Sequence, residues 1–193
     1  MRWQRFFEDL EHQLDAEWEA ERAALDTEAE RLRLSRLTLR ERLEGLIDTE
    51  VTVDPVAADA LRGRLTRVGA DWLSLETSRR AGAAVVPLAA VASVGVAEPD
   101  LLRSARPVSG RTALAGRMTL GFVLRDLARR RVGVRVVVTD GKVWTGTIDR
   151  AGADHLDLAL HDSGEPRRPT AVTGHRMIGF AVVRVVHLDG ADG

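Results

Sequence analysis

The sequence predicts an α+β chain: a long N-terminal helix followed by two tandem modules, each a helix leading into a five-stranded small barrel. Two observations carry this. Residues 62–75 (RGRLTRVGADWLSL) and 145–158 (TGTIDRAGADHLDL) agree at seven of 14 positions: Gly63/Gly146, Arg67/Arg150, Gly69/Gly152, Ala70/Ala153, Asp71/Asp154, Leu73/Leu156 and Leu75/Leu158. Residues 2 to 33 contain neither proline nor glycine, and their apolar residues begin with helical spacing.

The N-terminal helix comes first. Trp3, Phe7, Leu10 and Leu14 have coiled-coil spacing, continued by Trp18, Leu25 and Leu32 and interrupted by Glu21 and Glu28. Residues 8–30 hold ten acidic residues against Arg22 alone. The segment 1–34 therefore reads in two ways. It docks on a protein partner or another copy, with Trp3, Phe7, Leu10, Leu14 and Trp18 as contacts, or it is a solvated helix whose aromatic end packs on its own barrels. Trp3, Phe6 and Phe7 would otherwise form an exposed apolar patch.

The modules follow at 35–97 and 117–189, joined by a linker at 98–116 marked by Pro99, Pro107 and Gly110. Their agreement extends upstream, where Val51-Thr52-Val53 matches Val134-Arg135-Val136. Downstream, residues 85–91 match 177–183, and a longer second loop, Ser163 to His175, absorbs the difference. The second module predicts strands at 133–138, 143–151, 155–160, 176–180 and 183–188, with a turn at Asp140-Gly141. The first predicts strands at 50–53, 60–68, 71–76, 83–88 and 91–96. Gly146 inside a strand marks a bend, which a small barrel needs in order to close. Helices led by Thr38-Leu39 and Thr119-Leu120 precede the modules. If strand four of one module pairs with strand five of the other, one edge of each kind is left over. The expectation is a homo-oligomer, such as a ring of three chains.

A helix followed by bent strands resembles the Sm-like fold and, more broadly, SH3-like small barrels. The residues that carry the resemblance are Asp140, Gly141, Gly146, Ile148, Leu156, Leu158 and Leu160. It covers about residues 36–97 and 117–189, and it implies RNA binding. The chain departs from that family at the usual contact positions. Asp157 and Ser74 stand where the family has an asparagine. Pro87-Leu88 and Gly179-Phe180 stand where it has Arg-Gly, with Thr173-Gly174 displaced upstream. The resemblance therefore transfers no individual RNA-contacting residue.

Charge supplies the candidates instead. Net charge is −1, so distribution matters more than the total. Arg31, Arg33, Arg36, Arg40 and Arg42 follow the acidic helix. Residues 101–135 then hold nine arginines (Arg103, Arg106, Arg111, Arg117, Arg125, Arg129, Arg130, Arg131 and Arg135) against one acid, Asp126. Such a cluster can neutralise the phosphates of RNA or DNA. It can also cap a helix C-terminus or pair with the acidic helix. Trp72 and Trp144 are the aromatics of the early strands. Trp72 reads as exposed, and Trp144 as packed on its barrel.

Other chemistries are poorly served. There is no cysteine, which excludes disulfides, thiolate metal sites and thiol nucleophiles. The five histidines are scattered, and no phosphate loop or His-Glu-x-x-His occurs. Asp71 and Asp154 recur in Gly-Ala-Asp, where the side chain suits a turn that bonds local backbone. No enzyme, metal or cofactor is expected. The uncharged stretch 81–97 is shorter than the ~20 residues of a spanning helix and holds Pro87, so it reads as two strands. With no apolar signal core at the start, the expectation is a cytoplasmic protein that avoids membranes. The functional expectation is a nucleic-acid-binding protein, RNA before DNA, with a protein-interaction scaffold as the alternative.

Overall fold

A computed structural model of the chain describes residues 18, 19, 21–23, 25–77, 82–106, 115–164 and 167–188. Contacts divide it into two units, Met1–Thr38 and Leu39–Gly193. In the first unit the described residues from 18 to 36 are helical. Trp18 (73% exposed), Leu25 and Leu32 all face solvent. Trp3, Phe7, Leu10 and Leu14 lie outside the described residues.

The described residues of the second unit form ten strands: β1 Glu50–Pro55, β2 Leu61–Val68, β3 Trp72–Thr77, β4 Gly82–Pro87, β5 Val91–Gly95, β6 Gly133–Val138, β7 Val143–Ala151, β8 His155–Leu160, β9 Gly174–Gly179 and β10 Val183–Leu188. Its helices are α1 Leu39–Glu44, α2 Glu98–Ser104 and α3 Leu120–Arg130. Helix α2 lies inside the stretch read from sequence as a linker. Arg42 fastens it to α1 by donating to Ser104 Oγ and, at 2.9 Å, to the Leu101 carbonyl.

The expected architecture of a long helix followed by two tandem barrels is corrected here, although strand four of the first module does pair with strand five of the second. All ten strands form one open antiparallel sheet in the order β5-β1-β2-β3-β4-β10-β6-β7-β8-β9. The physical reason lies at the middle of that order. β4 pairs with β10, Val85 opposite Val186 and Ala84 opposite His187, so the two halves share one hydrogen-bond ladder. Their cores interpenetrate as well. Trp72 and Val85 of the first half are buried in the cluster around Leu124, Ile148 and Leu158. Val185 of the second half is buried in the cluster around Leu43, Leu65 and Leu75. Each half completes its apolar burial with a strand from the other.

Within each half the glycines set the bends. A Cβ on Gly63 would sit 2.2 Å from the Glu76 carbonyl oxygen, and one on Gly146 1.9 Å from that of Ala159. Only glycine allows the backbones to approach this closely. Two residues further along each strand pair the register begins to shift, between Leu65 and Arg67 and between Ile148 and Arg150, which adds twist. At the β6–β7 turn the Gly141 N–H donates to the Val138 carbonyl, and Gly141 takes φ +76°. In the first half the corresponding connection places Ala57 at φ +57°.

Candidate nucleic-acid interface

Helix α3 presents the arginine cluster, and its own sequence explains its pose. Leu120, Leu124 and Leu127 recur at helical spacing and are buried, packing the helix against β7. Thr119 caps the start, its side chain accepting from the Phe122 N–H. The helix ends at Arg131 in the left-handed conformation, φ +56°, with the Val132 N–H returning to the Leu127 carbonyl. The solvent face then carries Phe122, Arg125 and Arg129 at positions i, i+3 and i+7. Phe122 is 52% exposed.

The nine arginine candidates have different fates. Arg129 and Arg130 both pair with Asp126, and Arg129 holds that carboxyl below its ordinary range. Arg125 donates to the Gly152 carbonyl at 3.2 Å. Arg131 pairs with Asp149 at 2.9 Å, and Arg103 with Asp100 at 2.9 Å. Arg106, Arg117 and Arg135 show no ion pair among the described residues. Arg111 lies outside the described residues. The candidates therefore do not form one patch. Those brought together are Arg125, Arg129, Arg130 and Arg131, along and just past α3. In the earlier run, Arg31 pairs with Glu28, Arg33 with Glu30 and Arg40 with Glu44, all within one helical turn.

A second cluster escaped sequence reasoning. Asp149, with a 17% exposed side chain, accepts from Arg167 Nη2 at 2.8 Å and from Arg131 at 2.9 Å, with His175 at 3.7 Å. Arg167 foremost, then Arg131 and His175, hold its carboxyl below the ordinary carboxylate range. At the end of β8, His161, 6% exposed, bonds Thr147 Oγ1 at 2.8 Å and the Asp162 carbonyl at 3.0 Å. The longer second-half loop was the available signal: Arg167 within it reaches back to Asp149 on β7, and Thr173 bonds the Leu160 carbonyl on β8.

Two aromatic and acidic expectations change. Trp72, read as exposed, is 4% exposed, and its Nε1 donates to the Met118 carbonyl at 2.9 Å. Asp71, read as bonding local backbone, instead accepts from the Leu120 N–H at 2.6 Å, 49 residues away. Trp144 packs against the second core, with the Arg176 guanidinium 4.4 Å from its ring centre. Among the described residues no three His, Asp or Glu side chains group to hold a metal ion. None of their helices is long and apolar enough to cross a membrane. No protein-family model, no curated protein and no solved structure matches the chain.

Proposed function

We propose that the protein is a non-catalytic nucleic-acid-binding protein whose contact surface is the solvent face of α3. The observation that carries this is the exposed Phe122 on the same helical face as Arg125 and Arg129, followed by Arg130 and Arg131. Guanidinium groups neutralise phosphates, and an exposed ring stacks on an unpaired base. Single-stranded polymer, RNA before DNA, fits that pairing. The ion pairs to Asp126 do not lock the arginines away. They are exposed, and such pairs contribute only about 0–1 kcal/mol, so a phosphate can replace the carboxylate.

The test is fluorescence anisotropy with labelled single- and double-stranded RNA and DNA across salt. Replacing Arg125, Arg129 and Arg130 by alanine should lower the slope of log affinity on log salt by about 2, at roughly 0.7 per phosphate contact on single strands. Phe122→Ala should weaken single-strand binding by roughly 1–3 kcal/mol and leave the salt slope unchanged. Absence of salt-sensitive binding at low salt would remove this reading.

A second reading has its own observation. Trp18, Leu25 and Leu32 recur every seven residues along the described helical stretch and are 73%, 66% and 51% exposed, the spacing of a seam that pairs with another helix. That supports a protein-interaction scaffold acting through residues 1–34. Trp18→Glu would abolish partner or self-association through this helix and leave anisotropy with nucleic acid unchanged.

A further inference from the structure

Asp149 gathers more positive charge than one carboxylate can balance. Its Oδ1 accepts from Arg131 Nη1 at 2.9 Å and its Oδ2 from Arg167 Nη2 at 2.8 Å. With both oxygens engaged, His175 Nε2 is left 3.7 Å from Oδ2, beyond hydrogen-bond reach. Each guanidinium carries five N–H donors, and the carboxylate has only two oxygens to share among them. Within this group, two guanidiniums against one carboxylate leave a unit of positive charge over, before the imidazole is counted.

Local geometry builds the convergence. Asp149 is the extra residue at the β7 bulge, where Ile148 lies opposite Leu158 and Arg150 opposite Asp157. A bulge re-aims its side chain out of the alternating pattern. Arg131 comes from the left-handed end of α3, Arg167 from the loop after β8, and His175 from β9. The carboxylate side chain is 17% exposed, while those of Arg131 and His175 are 59% and 61% exposed. The centre is sheltered and its rim is open to solvent.

The repeat argues that the fold does not require this cluster. In the first half the same bulge position is Thr66, whose hydroxyl meets that of Ser74 at 2.7 Å. A sheltered ion pair gains little stability over a neutral arrangement, because desolvation offsets the attraction. A neutral pair closes the first half, so the ionic cluster of the second serves something besides the fold.

We infer that Arg131, Arg167 and His175 form a binding site for a phosphate group, with Asp149 holding them in place until that group arrives. A phosphate ester carries up to two negative charges and three strong acceptor oxygens. It can therefore engage both guanidinium forks and reach the imidazole at once. It enters from the open rim, taking Arg131 and His175 and sharing Arg167 with Asp149. Such a group comes from free phosphate or a nucleotide, or from the end of a nucleic-acid strand. The inference does not rest on the nucleic-acid reading, although Arg131 belongs to both surfaces.

The experiment titrates the full chain with inorganic pyrophosphate at constant ionic strength, followed by two-dimensional NMR. Resonances of Arg131, Arg167 and His175 should shift together and reach half-saturation at about 1 mM or below. Arg167→Ala should weaken binding at least about tenfold, and so should Arg131→Asn; asparagine suits the left-handed position. Asp149→Asn should tighten binding about tenfold by removing the competing charge. Arg130→Ala, which removes a neighbouring cation outside the cluster, should change it less than about twofold. Circular dichroism checks that each variant remains folded. The absence of saturable shifts up to about 10 mM pyrophosphate overturns the inference. So does a loss of binding in Asp149→Asn, which would make the carboxylate purely structural. So does an effect of Arg130→Ala as large as that of Arg131→Asn, which would mean diffuse attraction. Anisotropy with 5′-phosphorylated and 5′-hydroxyl single strands then separates the sources. A gain from the 5′-phosphate that Arg167→Ala abolishes assigns the site to strand ends. Equal binding of the two strands, with pyrophosphate still bound, assigns it to free phosphate or a nucleotide.

Discussion

The turns at 69–72 and 152–155 share Gly-Ala-Asp and fold alike, yet the first bonds across to the start of α3 and the second faces solvent. Both rings fold back over their glycine: a Cβ would sit 2.1 Å from the Trp72 Nε1 at Gly69 and 2.6 Å from the His155 Cε1 at Gly152. In the first turn, Asp71 accepts from Leu120 and Trp72 donates to Met118, tying the halves together. In the second, Asp154 is 90% exposed and turns to its neighbour His155 at 2.9 Å, raising that imidazole's pKa. Local sequence sets the shape of the turn. What lies across from it sets its energetic weight.

The sharpest way to break this comparison is to truncate the two rings. Trp72→Ala should cost about 3–5 kcal/mol, the range for a buried tryptophan. His155→Ala should stay within about 0.5 kcal/mol, as for other surface sites. Urea denaturation of both variants measures the gap. Equal losses would mean that the joint does not depend on Trp72.

The bend glycines test where the halves should behave alike. Gly63→Ala and Gly146→Ala each drive a methyl into a backbone carbonyl that cannot yield as a side chain would, and each should cost about 3 kcal/mol. Gly146 should suffer more, having the closer contact and φ +157°. Thermal denaturation of the pair would expose any asymmetry in how tightly the two halves are bent.

The smallest effect belongs to the position that differs most in chemistry. Asp149 stands where the first half has Thr66, which bonds Ser74. At neutral pH, Asp149→Asn should cost about 1–3 kcal/mol by leaving Arg167 poorly matched, and Thr66→Ala should cost less. Folding lowers the Asp149 pKa, so its stabilisation is complete above the unfolded value of about 3.9 and fades as pH falls through the lower folded value. The difference between wild type and Asp149→Asn should therefore shrink on acidification below about pH 4. A difference that persists there would show that the carboxylate charge is not what holds the loop.

Much of the secondary structure was legible because it rests on short-range rules. The strands 133–138, 143–151, 155–160 and 183–188 occupy the predicted residues, since alternating apolar residues and turn glycines act within a few positions. Helix α3 was legible from Leu120, Leu124 and Leu127. The grouping of Arg125, Arg129 and Arg130 followed from the same helix. Asp149 with Arg167, Arg131 and His175 was not, because those residues come from a strand, a loop, a helix end and another strand. Phe122 was passed over because a phenylalanine in an amphipathic helix reads as core until the buried face is known.

By itself, the amino-acid sequence determined the elements, the bends at Gly63 and Gly146, and the matched residues of the two halves. It also determined which side chains could neutralise phosphate. Only the tertiary structure decided that the halves merge into one sheet through β4 and β10, that Asp71 reaches Leu120 instead of its own turn, and that Trp72 is interior. The physical reason is that strand edges and turn side chains carry the same unsatisfied groups wherever they occur. Which partner satisfies them is set by proximity in three dimensions, and no local pattern encodes it.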